Sequence, residues 1–137
     1  MALFNIFDIA GSAMSAESVR LNVTSSNLAN IQSVGDSEAT AYRARHPVFS
    51  AIIKSLQGDN AYYGVRVDGI VESQAPMEKR YQPEHPNANE EGYVFLPNVN
   101  IVDEMANMIS ASRSYQSNVE VLNTSKQLMM ATLKLGQ

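Results

Sequence analysis

Two histidines and no cysteine leave this 137-residue chain very few residues with which to build a metal or nucleophilic site. His46 and His85 each stand directly before a proline. Glu84 adjoins His85 and Glu90 lies close by, but the set lacks the ligand spacing of a zinc site, and a solvated loop histidine is the plainer reading. The absence of cysteine removes disulfides, thiolate metal sites and thiol catalysis together. No glycine-rich segment follows a strand to cradle phosphate, and no serine sits in a nucleophile elbow. The carboxylate pairs Glu90-Glu91 and Asp103-Glu104 fit a solvated loop and a helix N-terminus. A net charge of −4 argues against a nucleic-acid partner. The residues therefore point to no enzymatic reaction, metal, cofactor or small-molecule substrate. The function they leave open is assembly.

The elements that would carry assembly lie at the two ends. Stepping from Ile101 alternately by four and three gives Ile101, Met105, Met108, Ser112, Tyr115, Val119, Leu122, Lys126, Met129 and Leu133. Eight of these ten positions are apolar. This spacing keeps one face of a helix turned to a partner helix, as in a coiled coil. No glycine or proline interrupts residues 98–135. Asn100 can cap the start, with Asp103 as a short capping-box partner, and Gly136 is a natural stop. About 35 residues at ~1.5 Å each make a rod of roughly 50 Å, which needs an equally long surface to lie against.

The mate is expected near the N-terminus. After the apolar opening Met1 to Phe7, the spacing predicts a helix over Ile9 to Asn30. Ile6, Ile9, Ala13, Ala16, Val19 and Val23 share one broad face, flanked by Ala10, Met14, Leu21 and Leu28. Its small residues allow close approach of another helix, with Glu17 and Arg20 at the rim. Gly11 weakens such a helix by about 1 kcal/mol relative to alanine without forbidding it. Leu3, Phe4, Ile6 and Phe7 read most simply as packing against a neighbour, with an export address read in an unfolded state as a second reading. A membrane-surface role would call for basic residues on a polar face, which are missing. Asn27 and Asn30 lie one turn apart, where their amides can bond backbone or a partner's amides, or simply terminate the helix. No run approaches the ~18 apolar residues of a membrane span, and the basic start of a secretory signal is absent. The chain is expected to stay in the cytoplasm or to leave by a route that removes no signal.

Residues 36–97 differ in character. They hold four interior prolines, end on Pro97, and carry most of the net negative charge. Residues 41–45 and Val48-Phe49 read as short extended pieces on either side of Pro47. Tyr63 to Asp68 alternates as a strand, with Gly69 at a turn or bulge. Met77 to Tyr81 and Tyr93 to Leu96 read as further short strands, with a loop over 82–92 between them. The expected fold class is mainly α. Long N- and C-terminal helices pack as a coiled-coil-like pair around a small β-containing middle segment, with parts at 1–35, 36–97 and 98–137.

Several segments, in this order, carry a family likeness over nearly the whole chain. They are Phe4 to Ala13, Arg20-Leu21-Asn22-Val23, Ser26-Asn27-Leu28-Ala29-Asn30, Gly92-Tyr93-Val94, Pro97-Asn98-Val99-Asn100, Ser110 to Asn123, and the ending Leu133 to Gln137. In these the chain resembles the axial proteins of the bacterial flagellum, and among them those of the proximal rod. The resemblance implies a structural subunit of the basal body whose terminal helices polymerise into the inner tube, with the middle segment projecting outward, and which transmits torque from the membrane ring to the distal rod and hook. It implies export through the flagellar type III apparatus without signal cleavage and residence in the periplasmic rod. The partners it implies are other copies of the chain, other rod proteins, and the inner-membrane ring with its adaptor. Asn27, Leu28, Ala29 and Asn30 match the family's N-terminal signature, whose fuller form continues with Thr where this chain has Ser33. The expected assembly residues are Ile9, Ala13, Ala16, Val23, Asn27, Leu28, Ala29, Asn30, Met105, Met108, Arg113, Tyr115, Val119, Leu122, Met129 and Leu133. The alternative reading is a soluble helical adaptor or export chaperone that binds a partner helix.

Overall fold

Helix α1 spans Ala2–Ala29 and α2 spans Ile101–Leu135 in the computed structural model, which describes residues 2–55 and 61–135. The first helix begins seven residues before the expected Ile9, because nothing in the apolar opening breaks it. It continues through Gly11, where an added Cβ would meet nothing within 4 Å. Its C-terminus is closed by Asn30, whose Nδ2 donates to the Ser26 carbonyl at 2.8 Å, and by Ser33, whose hydroxyl donates to the Asn30 carbonyl at 2.6 Å. The second helix is capped as expected: Asn100 Oδ1 accepts the Val102 N–H at 2.9 Å. Its expected stop at Gly136 lies outside the described residues.

Four strands separate the helices. β1 (Arg45–Ser55) and β2 (Ala61–Glu72) form an antiparallel hairpin, paired from Arg45 with Glu72 to Ser55 with Ala61. The register slips at Val48/Phe49, where Asp68 stands as the extra residue beside Gly69, so the glycine marks a bulge inside a longer strand. Pro47 does not divide two short pieces but lies within β1. In a two-stranded hairpin every strand is an edge, where proline is tolerated. β3 (Glu78–Tyr81) pairs antiparallel with β4 (Tyr93–Leu96). Gly35 extends this small sheet by exchanging two backbone hydrogen bonds with Phe95. Only glycine fits there, because a Cβ would come within 2.6 Å of the Ala41 nitrogen. Gly92, at φ +81°, makes the turn into β4.

α1 occupies the centre. It packs against α2 along one side and against both strands of the hairpin along another, while the hairpin and α2 do not touch among the described residues. The helices run antiparallel, with the end of α1 beside the start of α2 and Arg20 of α1 donating to Asn107 of α2. The enclosed side chains are mostly small: Ala10, Ala16, Val23, Ala44 and Ala111, with Tyr62 beneath the hairpin and Val94 beneath the small sheet. Burying alanine removes little apolar surface, so this core contributes far less than one built of Leu or Phe. Among the described residues, no helix is long and apolar enough to cross a membrane.

Candidate assembly interface

The helix pair is arranged with its large apolar side chains outward. The stripe of α2 against α1 contains Glu104, Ala111 and Ser125, all buried, and half-buried Asn107, Ser114 and Asn118. Arg20 Nη2 donates to Asn107 Oδ1 at 2.9 Å and its other nitrogen lies 3.7 Å from Glu17. Of the expected seam, Met108, Leu122 and Met129 are half-buried; Leu122 lies about five turns beyond Glu104 and Met129 about five turns beyond Ala111, so both share that face. Ile101, Met105, Tyr115, Val119 and Leu133 are exposed, as are Val102, Ile109, Leu128 and Met130 outside the seam. At ~100° per residue Ile101 and Met105, where the seam starts, stand roughly a quarter-turn away from the α1 contact. The alternation of four and three identified an apolar face, but small residues give a closer fit to α1, so Ile101, Met105, Tyr115, Val119 and Leu133 remain uncovered.

On α1, Ala16 and Val23 are buried and Asn27 is fully enclosed. Ala13, Leu28 and Asn30 are half-buried, and Ala29 is exposed. Ile9, grouped with the inner face from its spacing, is exposed, and Ala10 takes the inner position. Arg113 on α2 also faces solvent. The chain itself thus encloses Ala16, Val23 and Asn27, whereas Met105, Tyr115, Val119 and Leu133 are exposed.

Asn27 ties the helix to the hairpin. Its Oδ1 accepts the Tyr42 hydroxyl at 2.9 Å and the Arg45 N–H at 3.0 Å, and its Nδ2 donates to the Arg45 carbonyl at 2.9 Å. Asn98 works the other side of the same junction: its Oδ1 accepts the Ala44 N–H at 2.8 Å and its Nδ2 donates to the Ala75 carbonyl at 2.9 Å. Two amides thereby fix the base of the hairpin to the end of α1 and the approach to α2. Sequence reasoning named Asn27 but not Tyr42, Arg45 or Asn98 as its associates. The signals for Asn98 were its place between Pro97 and the α2 cap and its part in the Pro97-Asn98-Val99-Asn100 segment of the family likeness.

Further along, the hairpin is held to α1 by Tyr62, whose hydroxyl donates to Asp8 Oδ2 at 2.6 Å, and by the Val65 N–H, which donates to Ser12 Oγ at 3.1 Å. The bond to Asp8 raises the Tyr62 pKa above that of a free phenol. Asp36, in the turn after α1, is lowered by the hydroxyls of Thr40 and Ser37; Asp68, at the bulge, is lowered by Ser50 and then by Arg66. These are structural contacts. His46 is exposed on β1, and His85 Nδ1 accepts the Asn87 N–H within its turn at 3.1 Å.

Known proteins match the segments that make this geometry. Residues 7–35 match the family model of the flagella basal body rod protein, and residues 90–135 match the C-terminal model of the flagellar basal body rod FlgEFG proteins. The first block holds most of α1 with the turn that follows, and the second holds β4 and α2. The chain is 54% identical over 137 residues to the flagellar basal-body rod protein FlgC of Salmonella typhimurium and 55% identical over 137 residues to that of Escherichia coli, with the full length of both chains covered in each case. The FlgC of Borreliella burgdorferi is 32% identical over 151 residues, covering 100% of this chain and 99% of that one. Two antiparallel terminal helices joined through an asparagine-pinned hairpin, together with full-length identity at this level, place the chain in the FlgC family of flagellar basal-body rod proteins.

Proposed function

We propose that the chain is a structural subunit of the proximal rod of the bacterial flagellum, polymerising through its terminal helices to carry torque from the membrane ring toward the distal rod and hook. The observation that carries this reading is the exposed apolar ladder of α2, from Ile101 and Met105 through Tyr115 and Val119 to Leu133. A helix that shows its large side chains to solvent and its small ones to its own mate needs neighbours along its length. Residues 1–35 and 98–137 supply the inner helical module, and 36–97 supply the middle segment. Partners are further copies and other rod proteins, the inner-membrane ring with its adaptor, and the flagellar type III export apparatus. The chain reaches the periplasmic rod without loss of a signal peptide. Within the interface, Met105, Met108, Arg113, Tyr115, Val119, Leu122, Met129 and Leu133 contact neighbours. Asn27 and Asn30 hold the subunit in shape.

Electron microscopy of basal bodies from a strain deleted for this chain tests the reading, beside a swimming assay with and without the chain restored. The expected result is membrane rings without a rod, with swimming rescued by the restored chain. Complete rods and hooks in the deletion strain would instead favour a soluble adaptor.

A further inference from the structure

The hairpin has a second face that no other element covers among the described residues. Ile52, Gly64 and Tyr62 lie on the side turned to α1, where a Cβ on Gly64 would come within 3.2 Å of Ser12 Oγ. Side chains alternate across a strand, so the pairs Phe49 with Val67, Ala51 with Val65 and Ile53 with Tyr63 point the other way. All six are uncharged. Ile53 is 65% exposed and Tyr63 62%, with Phe49 and Val65 also exposed. Two-stranded hairpins do not ordinarily leave such a face in water.

A patch of similar reach lies at the start of α2. Ile101, Val102, Met105 and Ile109 are all at least half exposed. They follow one another at i, i+1, i+4 and i+8, a contiguous strip on the side away from Ala111 and Ser114. The strip covers eight steps of ~1.5 Å, about 12 Å. From Phe49 to Ile53 the hairpin covers four steps of ~3.3 Å, about 13 Å. The two patches therefore agree in length and in lack of charge. α1 separates them: it contacts both elements, which do not contact each other among the described residues. One molecule cannot bring its own two patches together.

Because they lie on different sides of the molecule, a contact between them is heterologous and leaves one patch of each kind free for the next subunit. Such contacts close into a ring or continue as an open helix according to the rotation from one copy to the next. The patches also differ in height along α1. The hairpin patch centres near Ser12, and Met105 lies near the level of Asn22, taking the Arg20 to Asn107 bond as the register.

We infer that the outer face of the β1–β2 hairpin is an interface with a second copy of this chain, covering the Ile101, Val102, Met105 and Ile109 strip of its α2. The inference rests on the rod-subunit reading and names one contact within it. The cysteine-free sequence allows a direct test with Tyr63→Cys and Met105→Cys, singly and together, in the full chain recovered in basal bodies after mild oxidation. The doubly substituted chain is expected to give a disulfide ladder of dimers and higher multiples of itself, reversed by reductant, and each single variant none. Cross-links to a different rod protein would overturn the inference, as would a homodimer from Tyr63→Cys alone, or no cross-link from a doubly substituted chain that still assembles. If the double variant does not assemble, a photoreactive residue at Ile53 in the otherwise natural chain gives the same readout, adducts to α2 of a second copy being expected and any other result overturning the contact. Absence of the unsubstituted chain from basal bodies would show instead that the rod-subunit reading fails.

Discussion

Asn27 illustrates how much a single buried polar group can organise. Its amide satisfies one acceptor and two donors from Tyr42 and Arg45, so truncation strands groups that have left water. Each such orphan costs roughly 1–3 kcal/mol. Asn27→Ala is expected to lower stability by about 2–4 kcal/mol, read from urea unfolding followed by tyrosine emission in this tryptophan-free chain. A loss below about 0.5 kcal/mol would show that the clasp is dispensable. Gly11 predicts the opposite sign: its Cβ direction is open, so Gly11→Ala should stabilise α1 by about 0.5–1 kcal/mol, raising helical circular dichroism. Asp36 supplies a pH dependence. Its carboxyl is held below its ordinary value of 3.8 by Thr40 and Ser37, so the turn's added stability is present above that pH and is lost as pH falls through the lower, folded-state value. An NMR titration of the Ser37 and Thr40 amides should show its midpoint below 3.8, and Asp36→Asn should abolish it.

At the scale of elements, the two faces of α2 make separable predictions. Tyr115 is exposed and Leu122 is half-buried. Tyr115→Asp should leave the free chain folded and exported but block its incorporation into the rod, because it places a charge where a neighbour packs. Leu122→Asp should fail to incorporate and also unfold more readily, because its site adjoins α1. Normal incorporation of both variants, scored by blotting purified basal bodies, would mean that this side of α2 faces solvent. The heptad spacing was legible because a period of 3.5 is a property of sequence alone. Which helix the seam would meet was not. α1 offers Ala10, Ala16 and Thr24, and close packing against small residues selected the complementary Ala111 and Ser125 stripe.

For the whole molecule, a core of alanines and polar side chains between long helices implies weak intrinsic cohesion. Elements with few buried apolar contacts open at low free energy. In the isolated chain, amides of residues 9–30 and 101–133 are expected to exchange rapidly, apart from those near Asn27, and to become protected in the assembled rod. Strong protection of both segments in the free chain would contradict coupling of helix order to assembly. Looseness before assembly fits the proposed export route, in which the outward apolar faces supply the driving force once neighbours are present.

The sequence by itself determined the long helices at both ends, the Asn100 cap of α2, the change of character at Pro97 and an interruption at Gly69, since each depends on local pattern or on residue type. The tertiary structure decided three further things. Arg45–Ser55 is one strand through Pro47 because Ala61–Glu72 runs beside it for its full length, a pairing between residues up to 27 positions apart. Asn27 is enclosed because Tyr42 and Arg45 fold back onto it, which no spacing within α1 records. Most of the apolar seam of α2 is left outward because burial is settled by fit between surfaces: α1 and α2 approach largely through small residues such as Ala16 and Ala111.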